Sequence, residues 1–132
     1  MNLKKLSDES LLSNTEILVQ KERELLTEIL HHLKEIDRRR LYSALEFKSL
    51  FEFTVAKFNY SEDQAYRRIK AMRLLKELPE IEEKIESGQI SLSHINLAQK
   101  YFQKTNLNKE EKLEIFEQIS STSVREAEKI TA

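Results

Sequence analysis

Residues Ser49–Pro79 read SLFEFTVAKFNYSEDQAYRRIKAMRLLKELP. An apolar-rich part, about Leu50–Phe58, precedes Asn59-Tyr60, and a longer stretch of helical periodicity opens at Ser61. Asn tolerates the left-handed backbone that a tight turn between helices needs. Ser61 is a good N-cap, and Glu62 and Asp63 put negative charge on the first turn, where the helix dipole favours it. The second helix is predicted to run to about Glu77 and to stop near Pro79. Two short helices joined by so few residues predict a helix-turn-helix.

The faces of the second helix carry the functional expectation. At about 100° per residue, Ala65, Ile69 and Met72 form one stripe, sized to bury against Phe51, Val55 and Phe58 of the helix before it. Asp63, Gln64, Arg67, Lys70 and Ala71 fall on the opposite side. Between Gln64 and Lys76 the basic residues are Arg67, Arg68, Lys70, Arg73 and Lys76, and no acid interrupts them. In a recognition helix the N-terminal, outward residues enter the major groove. Gln64 and Arg67 are then expected at base edges, and Ser61, Arg68 and Lys70 at phosphates. The plainer alternative is a solvated charged face on an all-α scaffold.

Bulk properties narrow the classes. The chain has 132 residues, 34% of them charged, with a net charge of -1. That length suits one domain with a modest core. A nucleic-acid site must then come from segregated charge, and Glu77, Glu80, Glu82, Glu83 and Glu86 do follow the basic helix directly. With no cysteine there is no disulfide framework and no thiolate nucleophile or metal ligand. One glycine and one proline leave little room for hairpins or Gly-rich phosphate loops, so the fold is expected to be all-α. There is no signal peptide and no membrane-length apolar run, which makes a cytoplasmic location the default expectation.

N-terminal to the central unit, Ser7 should cap a helix that runs to about Tyr42, with a possible break at Ser13-Asn14-Thr15. Its apolar residues recur seven apart: Leu12, Val19, Leu26, Leu33; Leu11, Leu18, Leu25; and Ile29, Ile36. Some thirty helical residues span about 45 Å, more than a small domain can cover. A second chain pairing over Leu18, Val19, Leu25, Leu26, Ile29 and Leu33 is one expectation. Later helices folding back along the stripe is the other. His31-His32 are adjacent, so they point about 100° apart and make a poor chelate; no metal site is expected. Arg38-Arg39-Arg40 either complements the helix C-terminal dipole or contacts phosphate beside the helix-turn-helix. Leu41–Lys48 is expected to be a connector anchored by buried Tyr42, Leu45 and Phe47.

C-terminal to the unit, Pro79 suits a first helical turn, Ile81 and Ile85 are a buried pair, and Gly88 suits a left-handed cap. Ser91, Asn108 and Ser123 are the next caps, with Ser123 and Glu126 spaced as a capping box. Leu92, Ile95, Leu97, Ala98 and Phe102, then Leu113, Phe116 and Ile119, then Val124, Ala127 and Ile130, are the apolar residues of the last helices. The periodicity continues to the last residues, as in a fragment of something longer.

Two resemblances follow. Tyr60–Lys100 is similar to the DNA-binding core of partition proteins of the ParB type. Met72-Arg73-Leu74-Leu75 matches that family's Leu-Arg-Leu-Leu-like run, Leu78-Pro79 its helix opening, and Gly88-Gln89-Ile90-Ser91-Leu92-Ser93-His94 its Gly-x-Leu-Ser-x-Gly-His segment. There is one extra residue between Leu75 and Leu78, and Ser93 replaces the family's Gly. The family's Gly-Glu-Arg-Arg-type nucleotide-binding motif has no counterpart. The resemblance therefore implies DNA-binding architecture and not partition or nucleotide hydrolysis. More broadly, LSDESLLSNTEILVQKERELLTEILHHLKEIDRRRLY, FKSLFEFTVAKFNYSEDQAYRRI and SVREAEKI together resemble the helical N-terminal region of bacterial HNH endonuclease-like proteins. With only His31, His32 and His94, no His-Asn-His set can be assembled, so nuclease activity is not implied. His94 is expected to be a capping or core residue.

The expectation is an all-α, multi-helical single domain. Residues 1–47 form the long helix and connector, and residues 48–132 the helix-turn-helix with its supporting bundle. The expected function is a DNA-binding, dimeric module without catalysis, cofactor, small-molecule substrate or membrane partner. The alternative is a protein-interaction module built on the long helix.

Overall fold

In the computed structural model, which describes residues 2–132, Asn59 takes the left-handed backbone expected of the turn (φ 56°). It separates α3 (Leu50–Phe58) from α4 (Glu62–Glu77). Ser49 caps α3 by accepting the Glu52 N–H, and Ser61 caps α4 by accepting the Gln64 N–H. The Gln64 side chain returns a bond to the Ser61 N–H at 3.0 Å, closing a capping box. Such reciprocal caps satisfy two backbone donors that a helix start otherwise leaves unpaired.

The remaining elements are α1 (Asp8–Arg39), α2 (Leu41–Ala44), α5 (Glu82–Glu86), α6 (Leu92–Lys104), α7 (Lys109–Ile119) and α8 (Val124–Ile130). Among the described residues there is no strand. Ser7 caps α1, which continues through Ser13-Asn14-Thr15 without a break; the Thr15 hydroxyl bonds back to the Leu11 carbonyl at 2.8 Å. Arg40, at φ 53°, ends α1, so the chain turns into α2 before Tyr42. Pro79 opens a single 3-10 turn, Pro79–Ile81, that leads into α5. Gly88, at φ 81°, turns the chain towards α6.

The core is assembled around α4, which packs against α1, α3 and α6. Ala65, Ile69 and Met72 are buried as their spacing predicts, but so are Ala71, Leu74 and Leu75. Ala71, expected outside, is covered because α6 closes over that side of α4. The partners on α3 also differ from expectation. Leu50, Phe53 and Thr54 are buried, Phe51 and Val55 are half-buried, and Phe58 is exposed. In a nine-residue helix the buried stripe depends on how the axis is set, which the turn and the neighbouring helices decide. Tyr42 and Phe47 pack on the core as expected, whereas Leu45 is exposed. The core runs across residue 47: Leu30 and Leu33 of α1 join the same cluster as Leu78, Ile95 and Phe116.

His94 ties the C-terminal helices together. The Ser91 N–H donates to its Nδ1 at 3.1 Å, so that nitrogen carries no proton, and Nε2–H donates to the Thr122 carbonyl at 2.8 Å. The ring thus completes a capping box at the start of α6 and pins the turn between α7 and α8.

Candidate nucleic-acid interface and an uncovered helix

The cations of α4 divide into two sets. Arg67 turns towards α6: its guanidinium donates to the Ser93 hydroxyl at 2.8 Å and lies 3.1 Å from the Asp63 carboxylate. Its side chain is 30% exposed, and two partners already hold its planar fork. Arg68 is half-buried on the other flank. It lies over the Tyr60 ring, 4.7 Å from its centroid, donates to the Gln64 carbonyl at 3.2 Å, and shares a cleft with Leu25, Leu26 and Ile29 of α1. Arg67, expected at base edges, is thus engaged with α6, and Arg68, expected at phosphate, with the turn and α1. The reason is local. Arg68 flanks the buried Ala65–Ile69–Met72 stripe, and Arg67 lies beside Ala71 and Leu74 on the side that α6 covers, so each long cationic side chain covers apolar surface and reaches a neighbouring element.

The second set faces out. Tyr66, Lys70 and Arg73 follow one another at helical spacings of four and three, with Tyr66 47% exposed. Lys70 is half-buried, and its Nζ sits 4.5 Å from the Tyr66 ring centroid in a cation–π contact. Among the described residues Lys70, Arg73 and Lys76 have no carboxylate partner. Lys70 and Arg73 line a groove of about 330 Å³ with Gln99 and Gln103 of α6 and Lys112 of α7. Glu77 is its one acid, and it is held by Lys112 at 2.6 Å. Of the residues expected to bind DNA, the structure thus keeps Lys70 on an open cationic face. Ser61 and Gln64 are exposed at the helix start, but their side-chain oxygens are used in the cap. Tyr66 and Arg73 were missed, although their spacing from Lys70 was available. Lys112 comes from a distant helix and had no local signal.

Arg38 and Arg39 sit apart from α4 and close on Glu35, Arg38 through Nε at 2.9 Å and Arg39 through Nε at 2.7 Å. Hydrogen bonds from Arg38 and then Arg39 pull the Glu35 carboxyl from 4.5 down to about 2. Arg40 provides the helix end. The pairing with Glu35 satisfies the first two arginines within their own helix. His31 pairs with Glu82 of α5, and His32 Nδ1 bonds to the Glu28 carbonyl at 2.6 Å.

The expected dimerisation stripe is also divided. Along the row Leu12, Val19, Leu26, Leu33, exposure falls from 66% to 36%, then to half-buried, then to 2%. The body of the protein covers only the C-terminal half of α1, so this row passes from solvent at Leu12 into the core at Leu33. Leu33 is a correction: it belongs to the monomer's own core. Leu18 and Leu25, at 62% and 57%, stay exposed, with Ile29 at the margin. Residues 8–22 project as an overhang in which no residue is buried.

Comparison with protein-family models, curated proteins and solved structures finds no match. Among the described residues no helix is long and apolar enough to cross a membrane.

Proposed function

We propose that the protein is a helix-turn-helix module that binds double-stranded DNA and has no catalytic activity of its own. The observation that carries this reading is the outward row Tyr66–Lys70–Arg73, whose two cations have no carboxylate partner among the described residues and open onto the groove shared with Gln99, Gln103 and Lys112. Cations without a carboxylate partner, beside the Gln103 carboxamide, suit phosphate oxygens, which supply a large share of the affinity in protein–DNA contacts; the Gln99 amide is already spent on the Lys70 carbonyl. Glu62 and Asp63 stand at the exposed N-terminal end of α4 and disfavour deep insertion of that end among phosphates. The reading therefore moves the contact along the helix, from Arg67 and Arg68 to Lys70 and Arg73. The resemblances of Tyr60–Lys100 to partition-type cores and of the wider chain to HNH-associated regions support the same class. A DNA partner also fits a cytoplasmic location.

The test is a fluorescence-anisotropy titration of mixed-sequence duplex between about 50 and 200 mM salt. Log affinity should fall with log salt by about 0.9 per phosphate contacted. The double variant Lys70→Gln/Arg73→Gln should flatten that slope by about 1.8. Binding that ignores salt, or an unchanged slope in the variant, rejects the assignment.

A second reading, self-association or partner binding through α1, is favoured by the exposed Leu11, Leu12, Leu18 and Leu25. Contiguous apolar surface of this kind marks interaction sites on soluble proteins. The two readings are compatible, because helix-turn-helix proteins commonly bind paired half-sites as dimers.

A further inference from the structure

Beside the body of the protein, the apolar side of α1 meets the turn after α3 and forms a groove of about 410 Å³. Leu25, Ile29, Ile36, Phe58 and Tyr60 line most of it, and Phe58 is 44% exposed. We propose that two copies of this chain associate with their α1 helices antiparallel, the overhang of each seated in the Phe58 groove of the other. This rests on the self-association reading of α1 and adds its geometry and its receiving site.

Three observations commit the groove to a second copy. The first is continuity. Leu11, Leu18, Leu25, Ile29 and Ile36 share one face of α1 that runs from the overhang into the groove, so a two-fold axis near residue 24 lays it on itself, Leu11 against Ile36 and Leu18 against Ile29. An isologous interface needs such self-complementarity. The second is charge. Residues 8–24 of α1 carry Asp8, Glu9, Glu16, Glu22 and Glu24 against Lys21 and Arg23. Residues 25–40 carry Lys34, Arg38, Arg39 and Arg40 against Glu28, Glu35 and Asp37. Parallel helices would stack acid on acid and base on base, whereas antiparallel helices set the acidic half against the basic half. Lys4 and Lys5 lie in a separate turn before α1. The third is area. The exposed leucines, Ile17, Val19 and Ile29 offer on the order of 500 Å² per copy, at the upper end of what monomers leave open. With Phe58 and the flanking charged stems this approaches the ~800 Å² per partner of a standard interface.

The chain has no cysteine, so introduced thiols report cleanly. Sedimentation equilibrium of the parent should give twice the 15.6 kDa chain mass. Leu18→Asp should return it to 15.6 kDa with unchanged far-UV circular dichroism, since residue 18 lies outside the core. In an equimolar mixture of Leu11→Cys and Phe58→Cys chains, the mixed disulfide should form at least about tenfold faster than either like pair. A parent that remains monomeric at several hundred micromolar overturns both the proposal and the self-association reading. A dimer in which the Leu11→Cys chains pair with each other is parallel; it overturns the proposed seat while self-association stands. A dimer that survives Leu18→Asp lies elsewhere on the surface and overturns the proposal as well.

Discussion

Replacing His94 by alanine should cost about 3 kcal/mol, and the sum can be built from its contacts. The ring is 7% exposed and bonded at both nitrogens. Losing the capping-box partner of the Ser91 N–H costs about 1 kcal/mol. Losing the Nε2–H bond to the Thr122 carbonyl costs about 1 kcal/mol more. Truncating a buried imidazole to a methyl leaves a void between α6 and the α7–α8 turn, worth about another 1 kcal/mol when the surroundings relax only in part. His94→Gln separates these contributions. Glutamine is an ordinary capping-box residue at this position and can still accept the Ser91 N–H, but it does not reproduce the bond to Thr122. It should therefore cost about half as much. The assay is urea unfolding followed by far-UV circular dichroism, with the slope held common so that the midpoint reports stability. A His94→Ala variant within about 0.5 kcal/mol of the parent would refute the reasoning. So would a His94→Gln variant as unstable as the alanine.

Two further outcomes are expected. The Glu35 carboxyl should titrate near 2 rather than near 4.5 in a carbon-detected NMR pH series, and Arg38→Ala should move it upwards. Because its folded-state value is lowered, the contact's contribution is fully present above about 4.5 and is lost as pH falls through about 2; a midpoint near 4.5 in the parent would show that the arginines do not hold it. Gly88→Ala forces a Cβ onto a backbone at φ 81° and to 2.5 Å from the Arg23 guanidinium carbon. Arg23 can swing aside, so the cost that remains is the left-handed backbone, about 1–2 kcal/mol. That should appear as a fall of several degrees in Tm, with Gly88→Asn milder; an unchanged Tm would contradict it.

Local signals carried most of the fold. Ser7, Ser49, Ser61, Ser91, Asn108 and Ser123 each cap the helix that follows, because capping chemistry acts within four residues of itself. Asn59 and Gly88 likewise take the left-handed backbone that their side chains tolerate. What failed was each inference that needed to know what stands opposite. Phe58 looked like a core residue and Leu45 like an anchor because they are large and apolar, yet Phe53 meets the Phe58 ring edge-on and Phe58 and Leu45 both stay exposed. Ala71 looked outward on a helical wheel drawn for one buried stripe, and α6 buried the other side.

The same limit governs the candidate site. Five cations without an intervening acid, from Arg67 to Lys76, read as one basic face, but a sequence run records charge and not partners. Asp63 precedes the run by a single helical turn and takes Arg67, Ser93 arrives from α6 to hold it, and Tyr60 takes Arg68. Lys70 and Arg73 stay open because the helical period carries them away from those neighbours and towards Tyr66. An arginine that joins two helices has less freedom to meet a phosphate than one that has only solvent before it. On the proposed DNA-binding reading, the weight of the contact therefore falls on the cations with the fewest partners rather than on those nearest the start of the helix. By that criterion Arg73, which the linear reading passed over, carries more of the candidate site than Arg67.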